Sequence, residues 1–240
     1  MKKDDNLIQP NNDITNDTIS TSAEEVADMP LDSSAGSREG HPGRHRGLLL
    51  LVVGPSAVGK TTVAEALLRR LQESDIRSEL SISYTTRPPR EHETHGSHYH
   101  FVSLETFKKM EAEGKFLETA EVYGNKYGTP IDIFEKAVKG NEVVIRVIDV
   151  QGAALIRDHV RKEGLEDYFV DIFILPPSHD VLRQRIFGRP GKGSDNPETR
   201  LAAAEAEIAQ KGDFKHAIVN EVLDICVSDV QDIVMQEISL

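Results

Sequence analysis

Eight consecutive residues, Gly54-Pro55-Ser56-Ala57-Val58-Gly59-Lys60-Thr61, could do chemistry by type and spacing alone: a glycine, four residues, then Gly-Lys-Thr. Glycines let the backbone curl so that several N–H groups converge. A helix starting at the lysine adds the positive end of its dipole, and the two together make a nest for the β-phosphate of a nucleoside triphosphate such as ATP. In such a nest Lys60 bridges the β- and γ-phosphates. Thr61 supplies a hydroxyl to Mg²⁺, whose other ligands are mostly water and phosphate oxygen. The flanks suit the motif, because Leu48 to Val53 is an apolar run of strand length and Thr61 to Gln72 sets Val63, Ala64, Leu67, Leu68 and Leu71 on one helical side.

GTPases, ATPases and small-molecule kinases all use this loop, so a second constellation must decide between them. No Asn/Thr-Lys-x-Asp run of the kind that reads guanine in GTPases is present, which leaves a kinase as the leading class. Arg87 and Arg90 stand three apart with Pro88 and Pro89 between them. The prolines stiffen the loop and hold two guanidinium forks in a fixed relation, a geometry suited to bidentate capture of a phosphate.

From Thr85 to Val102, through Arg87, Arg90, Gly96 and Tyr99, the chain resembles the guanylate kinase signature at every constrained position. The stretch Phe116 to Thr129 is similar to that family's second GMP-contacting segment. Leu182-Arg183-Gln184-Arg185-Ile186-Phe187-Gly188-Arg189 with Arg200 resembles its lid. The resemblance covers about residues 47 to 240. It implies a P-loop NTPase fold and transfer of the γ-phosphoryl group of ATP to GMP with Mg²⁺, as in purine nucleotide metabolism. Acceptance of dGMP is left open.

The resemblance also implies site roles. Arg87, Arg90, Tyr99 and Tyr127 hold the GMP phosphate, and Ser83, Glu118, Thr129 and Asp149 contact the guanine. Lys60, Arg185, Arg189 and Arg200 stabilise the moving phosphoryl group. An ionised carboxylate such as Glu118 can accept both N1–H and the N2 amino group of guanine, a donor pair adenine lacks. Arg183 reads as a solvent-facing helix position.

Some positions depart from the family pattern. Val147-Ile148-Asp149 stands where the family has Asp-Ile-Asp, and strand alternation places Val147 on the face of Asp149 and Arg146 on the opposite one. Asn220-Glu221-Val222 replaces Asn-Asp-Asp, and Tyr84 replaces a smaller or imidazole side chain. Two alternatives therefore stay open. One is an interaction module with the same fold and little catalysis, although such modules are expected to lack the P-loop lysine or the lid arginines. The other is a kinase for another phosphorylated acceptor. His92, His95, His98 and His100 follow no structural zinc spacing and have no cysteine beside them.

These residues need a scaffold. Short apolar strands alternate with amphipathic helices from Gly47 onward, the order of an α/β fold with a mainly parallel sheet flanked by helices. Glu142 to Ile148 and Val170 to Leu175 read as further buried strands. The core is expected at 47–80 and 140–240, a small inserted GMP-binding subdomain at about 81–130 and a mobile lid at about 186–200. Residues 1–46, rich in Asn, Asp, Ser, Thr, Gly and Pro, cannot bury enough apolar surface to order themselves and read as a disordered acidic tail. A formal charge of −12 argues against a general nucleic-acid surface. No apolar run approaches the roughly 20 residues that span a bilayer, and no secretion signal opens the chain. The single cysteine, Cys226, reads as a small buried apolar residue in a strand rather than a catalytic thiol. A cytoplasmic location with no membrane or nucleic-acid partner is expected.

Overall fold

The structure is a computed structural model that describes residues 45–240 apart from 92, 123, 189–195 and 240. The tail expected over residues 1–46 thus lies outside the described residues except for His45 and Arg46. Arg46 is bonded into the domain: its N–H donates to the Ile238 carbonyl at 3.0 Å and its Nη2 to the Glu237 carbonyl at 2.7 Å.

In chain order, strand β1 (Leu48–Val53) runs into helix α1 (Lys60–Glu73) and strand β2 (Ser78–Leu80). Strands β3 (Tyr84–Thr85) and β4 (His100–Phe101), helix α2 (Leu104–Ala112), and strands β5 (Phe116–Val122) and β6 (Asn125–Pro130) follow. Helix α3 (Asp132–Val138), strand β7 (Val143–Val147), helix α4 (Val150–Glu163) and strand β8 (Phe169–Leu175) return to the main body. Helices α5 (His179–Gly188) and α6 (Pro197–Ile208), strand β9 (His216–Val219) and helix α7 (Leu223–Ile238) complete it.

Five strands form a parallel sheet in the order β2-β7-β1-β8-β9. A parallel sheet is covered by helices on both faces, so its central strand is an unbroken apolar run rather than an alternating one. All six residues of β1 are fully buried. Leu48, Leu50 and Val52 pack with Val63 and Leu67 of α1 and Val230 and Val234 of α7; Leu49, Leu51 and Val53 pack with Ile133 of α3 and Ala153 and Ile156 of α4. Four more strands form a second sheet in the order β4-β3-β6-β5, with β3 and β4 parallel and the other pairs antiparallel. It is built entirely from residues between 84 and 130.

Strand alternation does not carry Val147 and Asp149 onto one face as the sequence suggests. Strand β7 ends at Val147, and Asp149 is already the N-cap of α4, its Oδ1 accepting the Gly152 N–H at 2.7 Å. Val147 packs with the core on the α1 side of the sheet. No helix among the described residues is long and apolar enough to cross a membrane.

Because β1 is closed on both faces, a cavity there cannot collapse easily. Leu50→Ala should lower unfolding free energy by about 3 kcal/mol, measured by chemical denaturation. A loss below about 1 kcal/mol would show that this strand is not the packed centre.

Candidate active site

The phosphate loop lies at the carboxyl end of β1, where a parallel sheet opens to ligands. Gly54 has φ 139° and Gly59 φ 94°, and Ala57 at φ 68° adds a third left-handed residue. A Cβ on Gly54 would come within 2.5 Å of the Ile174 carbonyl oxygen, so glycine is required by space as well as by torsion. Asn220 Nδ2 donates to the Val58 carbonyl at 2.8 Å, and Arg185 Nη1 reaches the same oxygen at 3.5 Å. The loop is thereby held from the β9 end and from α5. Lys60 Nζ donates to the carbonyls of Gly54 at 2.6 Å and Pro55 at 2.9 Å, folding its ammonium back over the loop. Thr61 is exposed in the first turn of α1. A pocket of about 660 Å³ opens here, bordered by Ser56, Gly59, Lys60, Thr61 and Arg185.

The second sheet carries the other half. Arg87 makes a two-pronged ion pair with Glu93, Nη1 to Oε2 at 2.8 Å and Nη2 to Oε1 at 2.9 Å. Glu93 Oε2 also accepts the backbone N–H of Arg90 at 2.8 Å. These bonds, the Arg87 guanidinium first, pull the Glu93 carboxyl down to about 2. The Arg87 guanidinium stands 5.5 Å from the Tyr99 ring, and Tyr99 meets Tyr127 edge-on at 6.0 Å. Glu93 and then the Tyr127 hydroxyl raise the Arg87 pKa, against the effect of its burial. Burial pushes up the Tyr99 hydroxyl. The phosphate residues expected from the sequence are therefore together, save that the Arg90 side chain is exposed and joins through its backbone.

The expected base residues converge on a residue the sequence reading left out. Thr129 donates its hydroxyl to Glu118 Oε1 at 2.5 Å. Arg146 Nη2 donates to Thr129 Oγ1 at 2.8 Å and to the Ser83 hydroxyl, while Nη1 donates to the Ser81 carbonyl at 3.2 Å. Arg146 does lie on the face opposite Val147, paired in register with Leu51, but that face gives onto the acceptor hydroxyls, so the arginine belongs to the site. Its residue is 5% exposed. Burial lowers its pKa; Glu118, Tyr99 and Asp149 act against that. Asp149 is exposed, its Oδ1 is taken by the Gly152 N–H, and it acts on this cluster through charge.

On α6, Arg200 is partly buried in the first turn, and Glu207 faces Lys60 and Asp149; burial chiefly raises the Glu207 pKa and Lys60 opposes it. Arg189 lies outside the described residues. Arg183 is exposed with its guanidinium 4.9 Å over the Phe187 ring, a surface position as expected. Among the described residues no cluster of three or more His, Cys, Asp or Glu could hold a metal. The Nδ1 atoms of His95 and His98 are occupied by the N–H groups of Phe101 and Thr94. Cys226 is buried as expected, but on helix α7 rather than in a strand, and burial drives its thiol to about 11.

The guanylate kinase family model matches residues 46–237. The chain belongs to the guanylate kinase family. It is 43% identical over 189 residues to a guanylate kinase of Nitrosomonas europaea, covering 79% of this chain and 89% of the relative. It is 39% identical over 192 residues to a guanylate kinase of Clostridium acetobutylicum, covering 80% and 87%. The crystal structure of guanylate kinase from Anaplasma phagocytophilum superposes with a TM-score of 0.62 at 30% identity, over 81% of this chain and 87% of that one.

Of the residues missed, Arg146 was visible as the only charge in the apolar run Val143 to Ile148. An arginine is buried only when paired, so the run itself asked for a partner. Glu93 carries no such mark, since it lies among other polar residues, and Glu207 shares an alanine-rich helix with a second acid, Glu205, so that neither stands out. The Glu93 pair yields a pH prediction. Its folded pKa of about 2 lies below the ordinary value of 4.5, so the stability it contributes is complete above about 4.5 and is lost as pH falls toward 2. The stability difference between the native protein and Glu93→Gln, followed by urea unfolding, should be constant near neutral pH and shrink steadily below pH 4.5. A difference unchanged down to pH 3 would rule out the charge-assisted pair as its source.

Proposed function

We propose that this site transfers the γ-phosphoryl group of ATP to GMP, giving ADP and GDP, with the P-loop pocket as donor site and the second sheet as acceptor site. The observation that carries the reading is the pairing, on that sheet, of a guanidinium–tyrosine cluster suited to a phosphate with a carboxylate–hydroxyl cluster suited to guanine. Arg87, with Arg90, Tyr99 and Tyr127, holds the GMP phosphate. Glu118 accepts from N1–H and N2, while Ser83, Thr129 and Asp149 complete the base pocket. A buried set of this kind rejects a base that leaves its groups unpaired.

Phosphoryl transfer asks little covalent chemistry of a protein; it requires two nucleotides in line and charge stabilisation on the moving group. The converging N–H groups after β1 cradle the β-phosphate, and Lys60 exchanges its two carbonyl bonds for phosphate oxygens. Mg²⁺, when bound with ATP, neutralises charge on the phosphate oxygens, and the exposed Thr61 hydroxyl at the start of α1 fits as its protein ligand. Arg185, already at the loop, joins Arg189 and Arg200 in stabilising the transferred group. We read residues 81–130 as the acceptor subdomain; of the lid expected over about 186–200, residues 189–195 lie outside the described residues. The presence of Lys60 and Arg185 in the donor pocket sets the chain apart from a fold retained only for binding partners.

The test is ADP release with ATP and Mg²⁺ while GMP, AMP, CMP and UMP are offered in turn. Turnover should occur with GMP, and Lys60→Ala should reduce it by about a hundredfold or more. Unchanged turnover in that variant would remove Lys60 from the phosphate site; turnover with another acceptor and not GMP would refute the acceptor assignment.

A further inference from the structure

An arginine has five N–H donors and no acceptor. Whatever hydroxyl it touches must accept from it, and must turn its own proton elsewhere. Arg146 touches two hydroxyls from one nitrogen, Ser83 Oγ and Thr129 Oγ1. The result is visible at Thr129, whose proton goes to Glu118 Oε1. At Ser83 the same logic leaves the hydroxyl proton free to be offered away from Arg146. The three oxygens thus acquire fixed roles: Ser83 a donor, Thr129 a bridge, Glu118 an acceptor.

This order has a complement. Guanine presents O6 as an acceptor beside N1–H and the N2 amino group as donors, whereas adenine presents an amino donor beside an N1 acceptor. A hydroxyl free to rotate could serve either base; one pinned by a guanidinium cannot. We propose that Arg146 is a specificity-determining positioning residue, which fixes the hydroxyl directions of Ser83 and Thr129 and so commits the acceptor pocket to guanine over adenine. The proposal rests on the GMP reading above. It assigns Arg146 no contact with the reacting atoms. Its burial supports the role, since the residue is 5% exposed and its Nε has no hydrogen-bond partner among the described residues. A guanidinium kept at that cost holds its neighbours in one arrangement; a surface arginine would not.

The side chain can be varied in two ways. Arg146→Met keeps bulk and removes charge and donors. Arg146→Lys keeps charge but offers a compact ammonium in place of the planar fork. ADP release is measured with GMP and with AMP as acceptors, alongside KM for ATP and thermal unfolding, for the full-length chain, both variants, Ser83→Ala and the Ser83→Ala/Arg146→Met double variant.

The expected result is a fall of about tenfold or more in the GMP-to-AMP ratio of kcat/KM in Arg146→Met, the scale of one or two mismatched buried hydrogen bonds. KM for ATP stays unchanged. Arg146→Lys recovers only part of the ratio, and Arg146→Met has less effect on the ratio in the Ser83→Ala background than alone. A GMP-to-AMP ratio equal to that of the native protein in the folded variants would overturn the proposal, even with lower activity, because a merely structural role would reduce both acceptors alike. If Arg146→Met does not fold, the ratio in Arg146→Lys decides. Failure of the GMP reading is separate: it would appear in the native protein, as no GMP turnover, before any variant is compared.

Discussion

The burial of β1 on both faces is the constraint from which the site follows. A six-residue strand closed above and below leaves the chain a single way to reach solvent, at its carboxyl end, and there the phosphate loop begins. The helices that seal it start near that same end, so their N-terminal N–H groups gather where an anion can be held. The loop's own glycines set its curl, and its neighbours hold it there. The Val58 carbonyl is fixed by Asn220 and approached by Arg185, and the carbonyls of Gly54 and Pro55 receive Lys60. Asn220 ties the loop to the end of β9, Arg185 to α5 and Lys60 to the first turn of α1.

A chain of net charge −12 must still bind polyanions. The cations proposed for that task already have partners, Arg87 with Glu93 and Lys60 with two carbonyls, and Arg146 in the base cluster is likewise held by two hydroxyls and a carbonyl. Held this way, the long side chains have lost their rotamer freedom in folding and need not lose it again on binding. The cost is competition, since a phosphate must share Arg87 with Glu93. That pairing also sets where the guanidinium stands, over the Tyr99 ring, so on the proposed reading the carboxylate is the template for the acceptor phosphate.

What the sequence made legible follows from how local each signal is. The strand Leu48–Val53 falls where apolar patterning puts it, and the loop Gly54 to Thr61 could be read because its chemistry sits in consecutive residues. The base cluster was legible only through family resemblance: Ser83, Glu118 and Thr129 come from separate strands or loops, and no spacing along the chain brings them together. Asp149 shows the limit of strand arithmetic. Its alternation with Val147 fails because the chain leaves the strand between them and Asp149 turns to cap α4. Glu93 could not be found from pattern at all, since its partner Arg87 is met through a loop whose path only the fold defines.

Strand β7 shows why the two departures at Arg146 and Val147 are separate events. Adjacent residues on a strand face opposite ways, so Val147 enters the apolar core beside α1 while Arg146 enters the layer shared with the acceptor sheet. The loss of a carboxylate at Val147 removes charge from the donor side of the sheet and adds packing there. The guanidinium at Arg146 adds charge on the other side, close to Glu118. Neither can stand in for the other across a closed sheet. What joins them is the sheet's own demand: a charge is tolerated inside it only where polar partners meet it, and here Thr129 and Glu118 of the second sheet supply a hydroxyl and a carboxylate while Ser81 and Ser83, in the link from β2 to β3, supply a carbonyl and the other hydroxyl.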